Sequence, residues 1–198
     1  NLFTWFLSAL IMKNEFGITK EIIVEILKGV SSRMKKFKTE LMDEYDTHFS
    51  NKNLSEIIGK MMEKVAADVF TKHFGFKVIK AGSDKDPDLT FTGLNNRPLE
   101  IKVTSTDNTW TGGEFSTRPF DYLLVAWDTN NFENYFCCLV HLEKSDWKSN
   151  FAKNFYGPSL DVKKLYERDD KILFLGNLEK TPRGAIKIKK ENINQVKF

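Results

Sequence analysis

The chain has 198 residues, 41% hydrophobic, 13% aromatic and 29% charged, a composition that excludes a mainly disordered chain and the collagen-like, coiled-coil-only and low-complexity classes. This length fits a single globular domain, or one domain carrying a helical extension. The formal charge of +3 permits a polyanionic partner without demanding one. Its distribution says more: residues 141–198 hold 13 Lys and Arg against 8 Asp and Glu, so the positive field gathers in the C-terminal third.

Cys137 and Cys138 are adjacent, and neighbours in an extended segment point to opposite faces, so they do not readily bridge each other. A reducing compartment follows as the expectation, and with it a cytoplasmic location. The histidines are His48, His73 and His141, and the sequence contains neither CxxC nor HExxH, which leaves a structural zinc site without support. The longest apolar stretch, Leu2 to Met12, is about half of the ~20 residues a membrane-spanning helix needs. It reads as a buried or subunit-contacting helix, and no membrane partner is expected. Asn at position 1 in place of Met suggests that some N-terminal sequence was removed.

In chain order, Thr19 predicts an N-cap for a helix over Lys20–Lys28, with Ile22, Ile23, Ile26 and Leu27 at helical spacing and Gly29 as its stop. A second helix is expected from Ser31 to about Thr47, with Met34, Phe37, Leu41, Met42 and Tyr45 as its apolar stripe. Its Arg33, Lys35, Lys36 and Lys38 read as a solvated face or as phosphate contacts. Asn53 or Ser55 then opens the strongest helix, Leu54–Phe74, closed by Gly75. Residues 1–50 thus form an expected N-terminal helical region, for dimer or DNA contacts, ahead of a core over 51–198.

From Phe76 the texture turns to short β-rich runs: Phe76–Ile79, Asp88–Thr92, Leu99–Val103, Tyr122–Trp127 and Tyr135–His141. Gly93-Leu94-Asn95-Asn96, followed by Pro98, supplies the turn of a hairpin. A short helix is expected near Ser145, a loop at Gly157-Pro158, a strand at Ile172–Leu175 and a last one at Ala185–Lys189. In that last run Lys187 and Lys189 alternate with Ile186 and Ile188, so one face presents ammonium groups to solvent or to a polyanion. The fold class expected is α/β, a mixed sheet with helices packed on it.

The stretch from Ser83 to Ser105 carries the chemistry. On its second strand Leu99, Ile101 and Val103 share one face and Glu100, Lys102 and Thr104 the other. Asp88 begins the preceding strand, where pairing across the hairpin brings it near Glu100. Two convergent carboxylates repel unless a cation lies between them, which makes the pair a natural Mg²⁺ site; the carbonyl of Ile101 can add a ligand. Such an ion polarises a phosphoryl oxygen and acidifies a water, and Lys102 beside it orients that water or offsets charge on the phosphate. The alternative is a salt-bridged hairpin on a sheet surface, a weak source of stability.

Pro87-Asp88, then Glu100-Ile101-Lys102 on the next strand, resembles the signature of the PD-(D/E)XK nuclease superfamily. The resemblance implies a restriction-endonuclease-like core of mixed sheet flanked by helices, with Mg²⁺ held by Asp88 and Glu100 and with Lys102 as the catalytic lysine. Many members carry a further Glu on the helix before the first core strand, and Glu63 occupies the corresponding place; Asp86 competes with Asp88. The segment from Thr104 to Asp128 also resembles the region that follows this motif in type II restriction endonucleases. There Trp110, Gly112-Gly113 and Arg118 read as a mobile loop able to approach DNA, and Thr104 and Ser105 as phosphate contacts. The alternative for this loop is Trp110 folded back onto the core and Arg118 paired with Asp121.

The expectation is therefore a Mg²⁺-dependent endonuclease of the restriction type, acting on double-stranded DNA at a short site, as a homodimer because two sites must address two antiparallel strands. A structure-selective nuclease, such as a Holliday junction resolvase or a repair nuclease, is the related alternative. A non-catalytic nucleic-acid-binding domain with a structural acidic pair is the alternative from another class.

Overall fold

The computed structural model describes residues 16–83, 85–148, 157–167, 173–176 and 193–195. Helix α1 (Lys20–Phe37) starts on the Thr19 cap, whose hydroxyl accepts from the Ile22 amide at 3.4 Å. It does not stop at Gly29. The helix runs on because that glycine faces α2 (Asn51–Phe74): a Cβ there would lie 2.9 Å from Val65 Cγ1, so the residue serves a close crossing of helices and not a terminus. Beyond Phe37 the chain continues into a π-helical turn, Lys38–Asp43, and the expected apolar stripe fails there, with Leu41 and Tyr45 exposed.

Helix α2 begins on Ser50, whose side chain accepts from the Asn53 amide, a little earlier than Asn53 or Ser55 would have set it. It ends on Gly75 in the left-handed conformation, φ 70°, as read from the sequence. Across the crossing, Glu25 of α1 pairs with Lys72 at 2.8 Å and His73 at 2.7 Å.

The strands are β1 (Val78–Lys80), β2 (Leu89–Phe91), β3 (Arg97–Ser105), β4 (Phe120–Asp128), β5 (Asn131–Leu142), β6 (Trp147–Lys148), β7 (Ser159–Leu160), β8 (Leu173–Gly176) and β9 (Ile193–Gln195). A short helix, α3 (Val162–Glu167), precedes β8. Among the described residues, seven strands form one sheet in the order β1-β2-β3-β4-β5-β8-β9, and β6 with β7 forms a small second ladder. The pairs β3/β4 and β8/β9 are parallel and the others antiparallel, so the class is α/β with a mixed sheet. The β2–β3 turn uses Asn95 and Asn96 at φ 52° and 56°, left-handed positions that Asn tolerates.

Alternation along the strands builds two cores. On one face Leu99, Ile101, Leu123, Val125, Trp127 and Cys137 pack under α1 and α2. On the other, Tyr122, Leu124, Ala126, Phe136 and Cys138 pack with Trp110, Phe115 and Trp147. The two free cysteines thus lie in cores on opposite sides of the sheet. The stripe of α1 (Ile22, Ile23, Ile26, Leu27, Val30, Met34) is buried in the same core as α2 and the sheet, so the chain itself covers it. The Leu2–Met12 stretch lies outside the described residues, and none of the described helices is long and apolar enough to cross a membrane.

Candidate functional site

The β2–β3 ladder ends at the Leu89–Leu99 pair, and its next two steps explain the local chemistry. One step on, Asp88 faces Glu100: the Asp88 amide donates to Glu100 Oε2 at 3.3 Å. Two steps on, the register would set Pro87 against Ile101, but Pro has no N–H to donate. The Ile101 amide instead donates to Asp88 Oδ2 at 2.8 Å. The carbonyl of a strand residue points to the same edge as its amide, so the Ile101 carbonyl also faces the Asp88 side, where Pro87 offers it no donor.

Glu100 is only 5% exposed, and Lys102 Nζ donates to its Oε1 at 2.6 Å. Gly113 brings the following loop against this lysine; a Cβ there would lie 3.6 Å from Nζ. Glu63 projects from α2 and is likewise buried. Its Oε1 accepts from Lys60 Nζ at 2.7 Å, while Lys80 Nζ lies 3.2 Å from Oε2, an atom that makes no hydrogen bond. Lys60, three residues before Glu63 on one helix face, was readable from spacing; Lys80, arriving on β1, was not.

Burial raises the Asp88 carboxyl from its ordinary 3.8 to about 6, and the negative charges of Glu100 and then Glu63 push the same way, against the Ile101 amide and Lys102. Lysines thus face Glu100 and Glu63, whereas among the described residues no ion pair reaches Asp88. Also among the described residues, no group of three or more His, Cys, Asp or Glu side chains forms a metal site. The available donor set is Asp88, Glu100 and the Ile101 carbonyl. That set suits an ion such as Mg²⁺, which takes one or two carboxylates and keeps waters.

The remaining residues singled out in the sequence fall elsewhere. Thr104 and Ser105, at the end of β3, are buried, and the Thr104 hydroxyl already donates to the Thr109 carbonyl at 3.2 Å. Trp110 is not a ring presented to DNA: it is 0% exposed and its indole N–H donates to the Val125 carbonyl at 2.9 Å. The loop around it is tied down, not free, since the Gly112 amide donates to the Pro158 carbonyl at 2.7 Å and the Leu160 amide to the Trp110 carbonyl at 2.9 Å. Arg118 is exposed and lies over the rings of Phe115 and Phe120, at 5.3 and 5.6 Å. Asp121 pairs instead with Arg97 at 2.9 Å and His141 at 2.8 Å. Asp86 accepts from the Ser83 hydroxyl and is exposed, so Asp88 is the acid that meets Glu100. Lys187 and Lys189 lie outside the described residues.

A pocket of about 330 Å³ opens beside the acidic cluster, between the N-terminal half of α2 and the chain after β3. Ser55, Gly59, Glu63, Thr104, Ser105 and Asn108 are among its lining residues, so Glu63 belongs both to the pocket and to the field around Asp88. Nothing in the linear sequence announces it, because its walls come from segments about 45 residues apart that only packing of α2 on β3 brings together. Comparisons with protein-family models, curated proteins and solved structures return no match for the chain.

Proposed function

We propose that the chain is a Mg²⁺-dependent endonuclease with a restriction-endonuclease-like core of the PD-(D/E)XK type, hydrolysing phosphodiester bonds of double-stranded DNA at a short specific sequence as a cytoplasmic homodimer. The observation that carries this reading is the meeting of Asp88, Glu100, Lys102 and the Ile101 carbonyl edge where the β2–β3 ladder stops. An acid whose pKa is raised to about 6 with no ion-pair partner of its own among the described residues, beside a second buried acid, is an arrangement that a divalent cation relieves.

Asp88, Glu100 and the Ile101 carbonyl would hold the ion. Magnesium bound there supplies charge that polarises a phosphoryl oxygen and acidifies a water. The chain's own groups do the rest. Lys102, half-buried, brings an ammonium to a non-bridging phosphate oxygen and offsets charge developing there. Glu63 adds negative field behind Asp88, and the Ile101 amide fixes the Asp88 carboxylate in orientation. Thr104 and Ser105 line the adjoining pocket, where they would contact a phosphate of a strand that entered it.

One observation favours a second reading, a non-catalytic nucleic-acid-binding domain: Lys102 closes on Glu100 at 2.6 Å, as a structural ion pair would. Digestion of linear duplex, supercoiled plasmid and a four-way junction with Mg²⁺, followed by sequencing of new ends, decides. Discrete fragments with one recurrent end sequence support the restriction reading. Symmetric nicking of the junction alone points to a resolvase, and intact DNA in every arm refutes nuclease activity.

A further inference from the structure

The cations around the acidic cluster are engaged by its carboxylates: Lys60 and Lys80 lie on Glu63, and Lys102 lies on Glu100. Arg118 differs from them. It is exposed, and Asp121, three residues on, is already held by Arg97 and His141, so among the described residues no carboxylate pairs with the Arg118 guanidinium. The side chain is nevertheless placed, because its Cζ lies 5.3 and 5.6 Å from the ring centroids of Phe115 and Phe120. Those rings are buried and 4.5 Å apart, a fixed platform whose faces attract the cation. The N–H donors of the guanidinium remain for an anion, and their planar fork suits a phosphate.

Arg118 also stands on the sheet face that carries Glu100 and Lys102. In the parallel β3/β4 ladder Glu100 lies beside Tyr122 and Lys102 beside Leu124, and Phe120, Tyr122 and Leu124 share the core on that face. Burial and then the charge of Glu100 push the Tyr122 hydroxyl up, while Arg118 pulls it down, so both charges reach one hydroxyl. A single turn sets the spacing of the two cations. Gly113, where a Cβ would lie 3.6 Å from Lys102 Nζ, precedes the turn Glu114–Thr117, and Arg118 follows it. The Ser116 amide and hydroxyl both donate to the Gly113 carbonyl, at 3.1 and 2.6 Å, which fixes the turn. At ~2 Å per residue the turn holds Gly113 and Arg118 about 10 Å apart. A duplex strand advances ~3.4 Å along the axis per phosphate, so this distance covers about three phosphates.

We propose that Arg118 is a second phosphate anchor: its guanidinium takes a backbone phosphate about three nucleotides from the one cut beside Lys102, and so sets the direction of the strand across the site. The anchor rests on the nuclease reading. It makes Arg118 a positioning residue that reads no base, so its contribution is the same for every sequence and weakens as salt rises.

Fluorescence anisotropy of two short duplexes of unrelated sequence, titrated with the full chain in EDTA over a series of KCl concentrations, tests this directly. Arg118→Gln should bind both duplexes about tenfold more weakly at low salt and reduce the slope of log K against log[KCl] by about 0.9. Arg118→Lys, which keeps the charge and loses the fork, should keep the slope and weaken binding about threefold. Lys72→Gln removes an equal charge at the α1–α2 crossing and should leave the slope unmoved. An unchanged slope in folded Arg118→Gln, a loss confined to one duplex, or an equal fall in Lys72→Gln overturns the anchor. Should Arg118→Gln fail to fold, Arg118→Lys carries the test, and an unchanged affinity there overturns it. Mg²⁺ is then added to the same duplexes. Cutting without the loss of slope removes the anchor alone; the loss of slope in a chain that cuts no DNA removes the nuclease reading alone.

Discussion

Asp88→Asn should stabilise the protein above neutral pH while abolishing its proposed activity. The carboxyl ionises at about 6 in the fold against an ordinary 3.8. The native state therefore holds this proton more tightly than the unfolded chain does. Between the two values the native state binds more protons, so stability falls as pH rises through that window, and the full penalty persists above it. At about 1.4 kcal/mol for each pH unit of separation, the penalty comes to about 3 kcal/mol as an upper bound. The introduced carboxamide would carry no charge and would keep an oxygen to accept from the Ile101 amide, now bonded at 2.8 Å. Urea unfolding of both proteins across pH 4–8 should show the variant more stable at pH 8 by up to about 3 kcal/mol, with the gain vanishing near pH 4. Excess Mg²⁺ at pH 8 should raise the stability of the unsubstituted protein and leave the variant unmoved. A variant less stable at pH 8, or a difference independent of pH, would refute the electrostatic reasoning.

Three further outcomes follow from packing. Gly29→Ala should destabilise despite the better helix propensity of Ala, because its Cβ would sit 2.9 Å from Val65 Cγ1; adding Val65→Ala should recover part of that loss in thermal unfolding. Gly59→Ala, with 3.9 Å to its nearest neighbour, should instead raise stability by about 0.5–1 kcal/mol in urea titration; a loss there would mean that the helix needs the glycine. Trp110→Phe removes the donor to the Val125 carbonyl and should cost about 1–3 kcal/mol, with DNA affinity per folded molecule unchanged. A selective fall in DNA binding would return Trp110 to the interface.

The chemistry was legible where it depended on local rules. Period-two alternation in β3 placed Glu100 and Lys102 together, the Asn95-Asn96 turn set the hairpin, and Gly75 closed α2 in a left-handed residue. What escaped depended on partners remote in sequence. Gly29 looks like a helix stop until Val65 is seen against it. For Trp110 the sequence left a DNA-facing ring and a ring folded back onto the core both open, and the Val125 carbonyl of β4, which accepts its N–H, decides for the core. Arg118 beside Asp121 looks like a pair until Arg97, on β3, takes that carboxylate. The deeper reason for Pro87 lies in the register: it stands where a donor to Ile101 would otherwise close the edge beside Asp88.

The most direct measurement is cleavage of a mixed duplex substrate by the full chain and by Asp88→Asn, Glu100→Gln and Lys102→Ala, each with Mg²⁺ and with EDTA, alongside DNA affinity measured for the same preparations. Cutting should occur only for the unsubstituted chain with Mg²⁺, and the three variants should still bind DNA. Metal-independent cutting, or a variant that cuts as fast as its parent, would contradict a phosphodiesterase site built from these three side chains.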